Sequence, residues 1–285
     1  MREWDERFTA LETRRMQRSL EPLAPVRTTE DRGCMLALRA IANDWSARAF
    51  DGPFYETPAV GGVSTGVVFV RSREGNTGTR DPAALGGGTV DAHLIYEGLS
   101  RVAADAVIAG AGTLHPDALF TVWRPELAAL RAALGLPRHP AQVIMSADGS
   151  IRPDDLLLCN LPAVPVFILT SAAGRGRLAA ALASRPWITA VVGRSLGEQF
   201  ASLGAAGIRR ACAVGGRRSA TALVDAGLVR DVYLTTTPVS GGEPGTPWYI
   251  GTRPLTTRPA VIKEWDGAHG VVRFEHLVLT THGQA

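Results

Sequence analysis

The sequence predicts an α/β fold with three αβα layers, a mostly parallel central sheet and an antiparallel hairpin at its carboxyl end. From "STGVVFV" onward, short apolar runs rich in β-branched residues alternate with helical patterns, which is typical of a parallel sheet covered by helices on both faces. Near the end of the chain, "AVIKEW", "DGAHG" and "VVRFEHLVLT" have the pattern of two strands and a turn. The sheet is therefore expected to be mixed at one edge.

Residues 1–60 predict a helical extension ahead of a main domain at residues 61–285. Two stretches, residues 4–19 and 34–50, carry apolar residues at helical spacing. These apolar residues are Trp4, Phe8 and Leu11 in the first stretch and Leu38, Ile41 and Trp45 in the second. Between them "EPLAPVRTTEDRG" is typical of a linker, and "DGPFYETPAVGG" marks a second break.

The main domain supplies strands and helix starts in alternation. After "STGVVFV", the predicted strands are "DAVIAG", "AQVIMS", "VPVFILT", "WITAVVG", "RRACAVGG" and "DVYLTTTP". Helix starts are indicated by Thr89, by Pro125 at the head of "PELAALRAAL", by Ser195 with Glu198 as a capping box, and by Ser219.

Composition and charge exclude several classes of partner. The longest apolar runs are shorter than the roughly 18 residues of a membrane span, and the amino end is charged. The formal net charge is +3, and Lys263 is the single lysine, so nearly every cation is a guanidinium suited to phosphate and carboxylate. We expect a cytoplasmic protein that acts on a small molecule, without membrane or nucleic-acid partners.

The cysteines and histidines predict no metal site. Cys34, Cys159 and Cys212 form no CxxC pair, and the six histidines show no HxH or HExxH spacing. The cysteines are expected to be reduced, buried thiols.

Two glycine-rich turns follow predicted strands. The first is Gly110-Ala111-Gly112-Thr113, and the second is Gly215-Gly216-Arg217-Arg218-Ser219 at the start of a helix. Glycine lets the backbone approach a ligand, and a helix amino end offers free N–H donors to an anion. Either turn alone is also typical of an ordinary tight turn, and "GAGTLH" lacks the third glycine of GxGxxG. Together, at the ends of two strands of one sheet, they predict a site for the phosphates of a dinucleotide.

Two other stretches carry alternative interpretations. Gly193-Arg194-Ser195-Leu196-Gly197 matches the GxSxG nucleophile elbow, and Asp231 and His276 follow in the order that a serine hydrolase requires. We favour the capping role for Ser195, since no HGGG-type oxyanion loop is evident. The loop Ser72–Gly78 after "VVFVR" is either a substrate rim beyond a strand end or a solvated loop.

Three motifs in order resemble the reductase domain of bacterial riboflavin biosynthesis, a member of the dihydrofolate-reductase-like superfamily. The motifs are "VVFVRSREG", "LSRVAADAVIAGAGT" and "GIRRACAVGG" with the following "ALVDAGLVRDVYLTTTPVSGG". The resemblance covers roughly residues 62–280. The bifunctional members carry a zinc deaminase, but residues 1–60 contain no HxE or PCxxC pattern, so we expect no deaminase domain.

The resemblance implies a homodimer that binds NADPH across the two glycine turns and delivers hydride to a small heterocyclic or imine substrate. The implied cofactor residues are Gly110, Gly112, Thr113, Asp117, Ser146, Gly215, Gly216, Arg217, Arg218 and Ser219. The implied substrate residues are Ser72, Asn76, Arg101 and Trp123, and Glu74 is the candidate catalytic acid.

Departures from the family pattern lie mostly on the substrate side. Glu74 stands where the family has Asp, Val214 replaces the acid before Gly-Gly, and Trp123 replaces an arginine that grips a phosphate. We therefore expect a reductase with an altered, unphosphorylated substrate. The loss of the two family acids also leaves open a nucleotide-binding protein without catalysis.

Overall fold

A computed structural model of the chain describes residues 2–30, 37–79 and 82–280. Its centre is a ten-stranded mixed sheet, which confirms the predicted fold class. The strands in chain order are β1 Val26–Glu30, β2 Arg39–Ile41, β3 Phe54–Glu56, β4 Ser64–Arg71, β5 Ala106–Gly110, β6 Ala141–Met145, β7 Val166–Thr170, β8 Ile188–Val192, β9 Arg210–Val214, β10 Val229–Thr236, β11 Thr256–Gly267 and β12 Gly270–Thr280.

The strand order of the sheet is β1-β11-β12-β10-β4-β9-β5-β6-β7-β8, and β2 pairs with β3 in a separate small sheet. From β10 to β8 all neighbours are parallel. The hairpin of β11 and β12 is antiparallel and attaches to β10, as the sequence pattern predicts. Because parallel strands point the same way, the carboxyl ends of β10, β4, β9, β5 and β6 meet at one edge of the sheet.

Helices cover both faces. They are α1 Arg2–Ser19, α2 Asp44–Ala49, α3 Gly88–Asp91, which continues as a wide π-helix over Ala92–Val102, α4 Pro125–Ala133, α5 Ala172–Ala183, α6 Leu196–Ala205 and α7 Arg217–Asp225. Leu94 and Val102 of the π-helix pack on Val68 and Val107 of one face. On the other face, Phe200 of α6 and Leu223 of α7 pack with Val67 and Ile108.

The predicted helix starts are confirmed in part. Pro125 is the first residue of α4, and Ser195 caps α6 with its hydroxyl accepting from the Glu198 N–H. Thr89 and Ser219 lie inside the first turns of α3, which begins at Gly88, and α7, which begins at Arg217 after the N-cap Gly216. Glycine reaches the left-handed backbone at these entries without a side-chain clash.

The amino-terminal segment differs from the expectation in two ways. Residues 26–30 of the expected linker form β1, which pairs with β11 and so belongs to the main sheet. The expected helix over residues 34–50 is limited to α2, because Ile41 lies in β2 and Asn43 caps the helix start. Residues 34–36 of that stretch, including Cys34, lie outside the described residues.

Lys263 of β11 fastens this segment to the sheet. Its side chain is 2% exposed, and Nζ donates to the Thr28 hydroxyl at 2.9 Å and to the carbonyls of Phe50 at 2.6 Å and Asp51 at 3.1 Å. Burial lowers the pKa of Lys263 from 10.5 to about 8. The buried ammonium thus joins β1, the end of α2 and β11 through three hydrogen bonds.

The Lys263 pKa predicts how stability changes with pH. Since the folded-state pKa is about 8 and the ordinary value is 10.5, the unfolded chain holds this proton more tightly, and the contribution of Lys263 to stability should rise as pH increases above 8. We expect this contribution to be on the order of 1 kcal/mol per pH unit between pH 8 and 9.5, measured as the difference between the wild type and Lys263→Met in urea unfolding, because the raised pKa values of the buried Cys159 and Cys212 thiols lower stability over this range in both proteins. Lys263→Met should lose this slope; equal slopes in the two proteins would contradict the assignment.

Candidate active site

The two glycine-rich turns lie side by side. β5 and β9 are parallel neighbours with Ile108 opposite Ala213, so both strands end at the same edge. A Cβ at Gly110 would overlap the Ser219 hydroxyl, and a Cβ at Gly216 would lie 3.1 Å from Thr113 Oγ1. Glycine at these positions therefore lets the two turns pack directly against each other, with the hydroxyls of Thr113 and Ser219 between them, whereas a Cβ at Gly112 would meet nothing within 4 Å. We call this pair of turns the glycine cradle.

The second turn has the backbone conformation of a helix start that can accept an anion. Gly215 and Gly216 have φ angles of 70° and 79°, in the left-handed region that glycine favours. Among the described residues no side chain caps the start of α7, so its first N–H groups remain available to a ligand. Free N–H donors and the positive end of the helix dipole attract phosphate.

Two guanidinium groups flank this helix start. Arg217 is about one-third exposed, and its Nη2 lies 3.8 Å from a carboxylate oxygen of Glu243, which is 71% exposed. Arg218 is exposed to solvent. A long contact to an exposed carboxylate contributes little, so Arg217 can exchange it for a bound anion.

The polar loop after β4 is ordered against the loop after β10. Thr77 N donates to the Thr246 carbonyl at 2.7 Å, and Asn76 Nδ2 donates to the Gly241 carbonyl at 3.2 Å. Ser72 is fully buried, and its hydroxyl accepts from the Asn76 N–H at 3.3 Å. The loop carrying Ser72 and Asn76 therefore has a defined shape beside the glycine turns, and their role toward substrate stays a prediction.

Glu74 lies at the outer side of this loop. Its carboxylate accepts from Gly241 N at 3.2 Å, and Arg73 Nη2 lies 3.6 Å away. Hydrogen bonds from Ser240 and from backbone N–H groups lower the pKa of Glu74 to about 2. At neutral pH Glu74 is ionised, so it can accept hydrogen bonds but holds no proton to donate.

Trp123 and Arg101 lie beneath neighbouring chain segments. Trp123 is 4% exposed, and its ring centroid lies 6.4 Å from that of Phe8 on α1. Arg101 is buried in the π-helix and donates from Nη1 to the Thr121 carbonyl at 2.7 Å. In this structure neither side chain lines an open surface, and their contact with substrate remains a prediction.

The amino-terminal segment also engages Arg124 and Asp117. The Arg124 guanidinium stacks on the Trp45 ring at 4.3 Å and donates to the Ser19 carbonyl. Asp117 accepts from Arg7 Nε of α1 at 2.6 Å. Of the other predicted cofactor residues, Ser146 lies at the carboxyl end of β6 and is 4% exposed.

Sequence reasoning missed a buried carboxyl at the same edge. Asp91, at the end of α3, is 4% exposed and accepts from the Thr235 hydroxyl of β10 at 2.5 Å. Burial raises the pKa of Asp91 from 3.8 to about 7, although the hydrogen bond from Thr235 lowers it in part. The available signal was a carboxylate within an otherwise apolar helical face, in "TVDAHLI".

The serine hydrolase interpretation is wrong. Ser195 follows the carboxyl end of β8, whereas Asp231 lies near the amino end of β10, so the two residues are at opposite edges of the sheet. β8 and β10 are also six strand spacings apart, or about 29 Å across the sheet. Asp231 and His276 do meet, with 2.7 Å between Oδ1 and Nε2, but both are buried there. Ser195 Oγ instead accepts the Glu198 N–H at 3.2 Å.

Within residues 2–30, 37–79 and 82–280, no group of three His, Cys, Asp or Glu side chains could hold a metal ion. No helix in that part of the chain is long and apolar enough to span a membrane. Cys159 and Cys212 are buried free thiols, as predicted.

The chain belongs to the RibD C-terminal domain family, which matches residues 79–271. A pyrimidine reductase-like protein from Corynebacterium diphtheriae has 17% identity and a TM-score of 0.56, covering 77% of this chain and 92% of that one. RibD from Acinetobacter baumannii has 16% identity and a TM-score of 0.59, covering 78% of this chain and 59% of that one.

The riboflavin biosynthesis reductase Rib7 of Saccharomyces cerevisiae has 14% identity and a TM-score of 0.54, covering 78% of this chain and 93% of that one. These similarities show a dihydrofolate-reductase-like fold. A comparison with curated proteins found no match.

Ser195→Ala tests the capping role. Loss of the hydrogen bond to the Glu198 N–H should lower the free energy of unfolding by about 0.5–2 kcal/mol, measured by urea unfolding, and leave cofactor affinity unchanged. Ser171→Ala is the matched control, because Ser171 caps α5 in the same way. Covalent labelling of Ser195 by a fluorophosphonate would contradict this role.

Proposed function

We propose that this protein is an NADPH-dependent reductase that delivers hydride to a small heterocyclic or imine substrate. The observation that carries the proposal is the paired glycine cradle at the carboxyl edge of β5 and β9, within a fold of the RibD C-terminal domain family. The cradle has features suited to a dinucleotide phosphate: open space at the Cβ position of Gly112, N–H donors at the start of α7 that no described side chain caps, and two arginines beside them. Bound NADPH would supply the hydride.

The residues fit the cofactor in defined roles. The α7 start with Gly215, Gly216 and Ser219 would hold a phosphate, and Arg217 and Arg218 would add charge-assisted hydrogen bonds. Gly110, Gly112 and Thr113 would lie along the cofactor on the β5 side. Asp117 and Ser146 remain part of the proposed site; Asp117 would first have to release Arg7 of α1.

We further propose that the substrate is a flat ring without a phosphate. The position expected from the resemblance to carry a phosphate-gripping arginine holds Trp123, and the adjacent Arg124 is committed to Trp45 and the Ser19 carbonyl. Neither side chain offers a free guanidinium to a substrate phosphate. The proposed substrate contacts are Ser72, Asn76, Arg101 and Trp123, with Glu74 as a hydrogen-bond acceptor, and the proposed assembly is a homodimer.

Two features favour a second candidate, a nucleotide-binding protein without catalysis. Val214 is an apolar core residue where the resemblance expects an acid, and Glu74 is ionised at neutral pH. Both candidates bind the cofactor, so they are distinguished by whether the protein oxidises NADPH in the presence of a substrate.

The direct test is a titration of the protein with NADPH, NADH and FAD, followed by energy transfer from tryptophan to the bound cofactor. Saturable NADPH binding supports the cradle. Oxidation of NADPH is then measured with a panel of cyclic imines and oxidised pyrimidine and pteridine rings. Binding without turnover across the panel would favour the nucleotide-binding candidate, and absence of binding would refute both.

Arg217 and Arg218 predict cofactor selectivity. We expect NADPH to bind more tightly than NADH, because two guanidinium groups at a helix start favour an additional phosphate. Arg217→Ala and Arg218→Ala should each weaken NADPH binding roughly 10- to 100-fold, read from the fluorescence titration. The matched control is Arg194→Ala, an exposed arginine at the start of α6. Equal affinity of the wild type for the two cofactors would contradict phosphate selection.

A further inference from the structure

We propose that Asp91, buried at the carboxyl edge of β4 and β10 and hydrogen-bonded to Thr235, is the catalytic acid that gives a proton to the substrate. This inference rests on the reductase function proposed above. It moves the acid role from Glu74, the residue expected from the sequence, to a side chain that the sequence motifs do not include.

Asp91 lies next to the strands that border the glycine cradle. Thr235, which donates to Asp91, lies opposite Val70 of the neighbouring strand β4. Val68, two residues earlier on β4, lies opposite Val214 of β9, the residue just before Gly215. The Asp91 carboxyl is therefore about two strand spacings, or roughly 10 Å, across the sheet from the second glycine turn. Ser72, at the end of β4, follows Val70 by two residues on the same strand line.

The backbone of Gly87 lies directly against the Asp91 carboxyl. A Cβ at Gly87 would lie 2.5 Å from Asp91 Oδ2, so no other residue fits there without displacing the carboxyl. Gly86 and Gly88, on either side, have φ angles of 80° and 74°. At Gly87 this glycine strip, residues 86–88, presents backbone without a side chain to Asp91, and movement of the strip would open the carboxyl to a ligand at the sheet edge.

The surroundings keep Asp91 protonated near neutral pH. Burial is the main cause of its raised pKa of about 7, and the Thr235 hydroxyl is the one opposing influence among the described residues. The nearest ionisable groups on the same helix, His93 and Glu97, lie 3.6 Å from each other, and Glu97 also accepts the N–H groups of Trp123 and Arg124. Glu74 is the contrasting case, with its proton already lost at pH 7.

The proton balance of the step is complete. Hydride adds to the carbon of a C=N bond, and the π electron pair moves to the nitrogen. That nitrogen takes the proton of the Asp91 carboxyl as the O–H bond breaks. The resulting carboxylate is stabilised by the Thr235 hydroxyl, which donates to it, and water restores the proton when the glycine strip opens.

The experiment compares Asp91→Asn with a matched control. Asp231→Asn also alters a buried carboxyl of this sheet that accepts from a threonine hydroxyl, at 2.6 Å from Thr57, but at the opposite end of β10. Cofactor affinity is measured by fluorescence titration. Single-turnover oxidation of NADPH is measured from pH 5.5 to 9 with the acceptor from the panel that the wild type reduces fastest. Infrared difference spectra of the free proteins record the C=O band of a protonated carboxyl.

The proposal predicts that Asp91→Asn binds NADPH within about two-fold of wild type but reduces the acceptor roughly 10²- to 10⁴-fold more slowly at pH 6.5. The wild-type rate should fall about tenfold per pH unit above pH 7, and the Asp91→Asn rate should not show this decline. Burial raises the pKa of two carboxyls, Asp91 and Glu56, to about 7, so the wild-type spectrum should contain a protonated-carboxyl band from each; Asp91→Asn should lose one of the two bands, and Asp231→Asn should keep the Asp91 band. Asp91→Glu should restore part of the rate.

An Asp91→Asn protein with at least half the wild-type rate and the same pH profile would overturn the proposal while leaving the reductase function intact. If wild type neither binds NADPH nor reduces any acceptor, the reductase function fails and the acid role fails with it. Should Asp91→Asn not fold, Thr235→Val keeps the carboxyl and removes the donor to the carboxylate. Because the Thr235 hydrogen bond lowers the pKa of Asp91, the decline of the rate should then begin at a higher pH than in wild type, and an unchanged pH dependence would refute the assignment.

Discussion

The parallel pairing of β5, β9, β4 and β10 is the constraint on which the candidate site depends. It orders four strands that are distant in sequence so that all end at one edge. The glycine turns follow β5 and β9, the polar loop follows β4, and Thr235 lies near the end of β10. Since the strands are buried on both faces by separate helices, this edge is a rigid support, and the loops beyond it are free to differ between relatives.

The amino-terminal segment is part of that support. β1 extends the sheet, Lys263 holds it, and α1 covers Trp123 while Arg7 reaches Asp117. Trp123, which the resemblance assigns to the substrate, and Asp117, which it assigns to the cofactor, are thereby engaged by the amino-terminal helix. This connects two observations that are separate in the sequence, the amino-terminal helix and the altered substrate positions. The contact of the helix with Trp123 is one reason for proposing a substrate that differs from the phosphorylated intermediate of riboflavin synthesis.

Some of this was predictable from sequence because it depends on local patterns. The Ser-x-x-Glu spacing predicted the cap at Ser195, and glycine after each of two apolar runs predicted two turns at one sheet edge. β1 was missed because five residues, "VRTTE", carry one strongly apolar side chain and depend on β11 for pairing. The pair of Asp91 and Thr235 was missed because its members are 144 residues apart, and only the fold brings them together.

The proposed binding of a dinucleotide at the glycine edge of the sheet is tested most directly by amide chemical shifts of nitrogen-15-labelled protein, recorded with and without NADPH. We expect the largest shifts at the N–H groups of Gly110, Gly215 and Gly216, with Gly193 and Gly197 of the GRSLG turn unchanged. Shifts confined to the GRSLG turn, or no shifts at saturating NADPH, would contradict it.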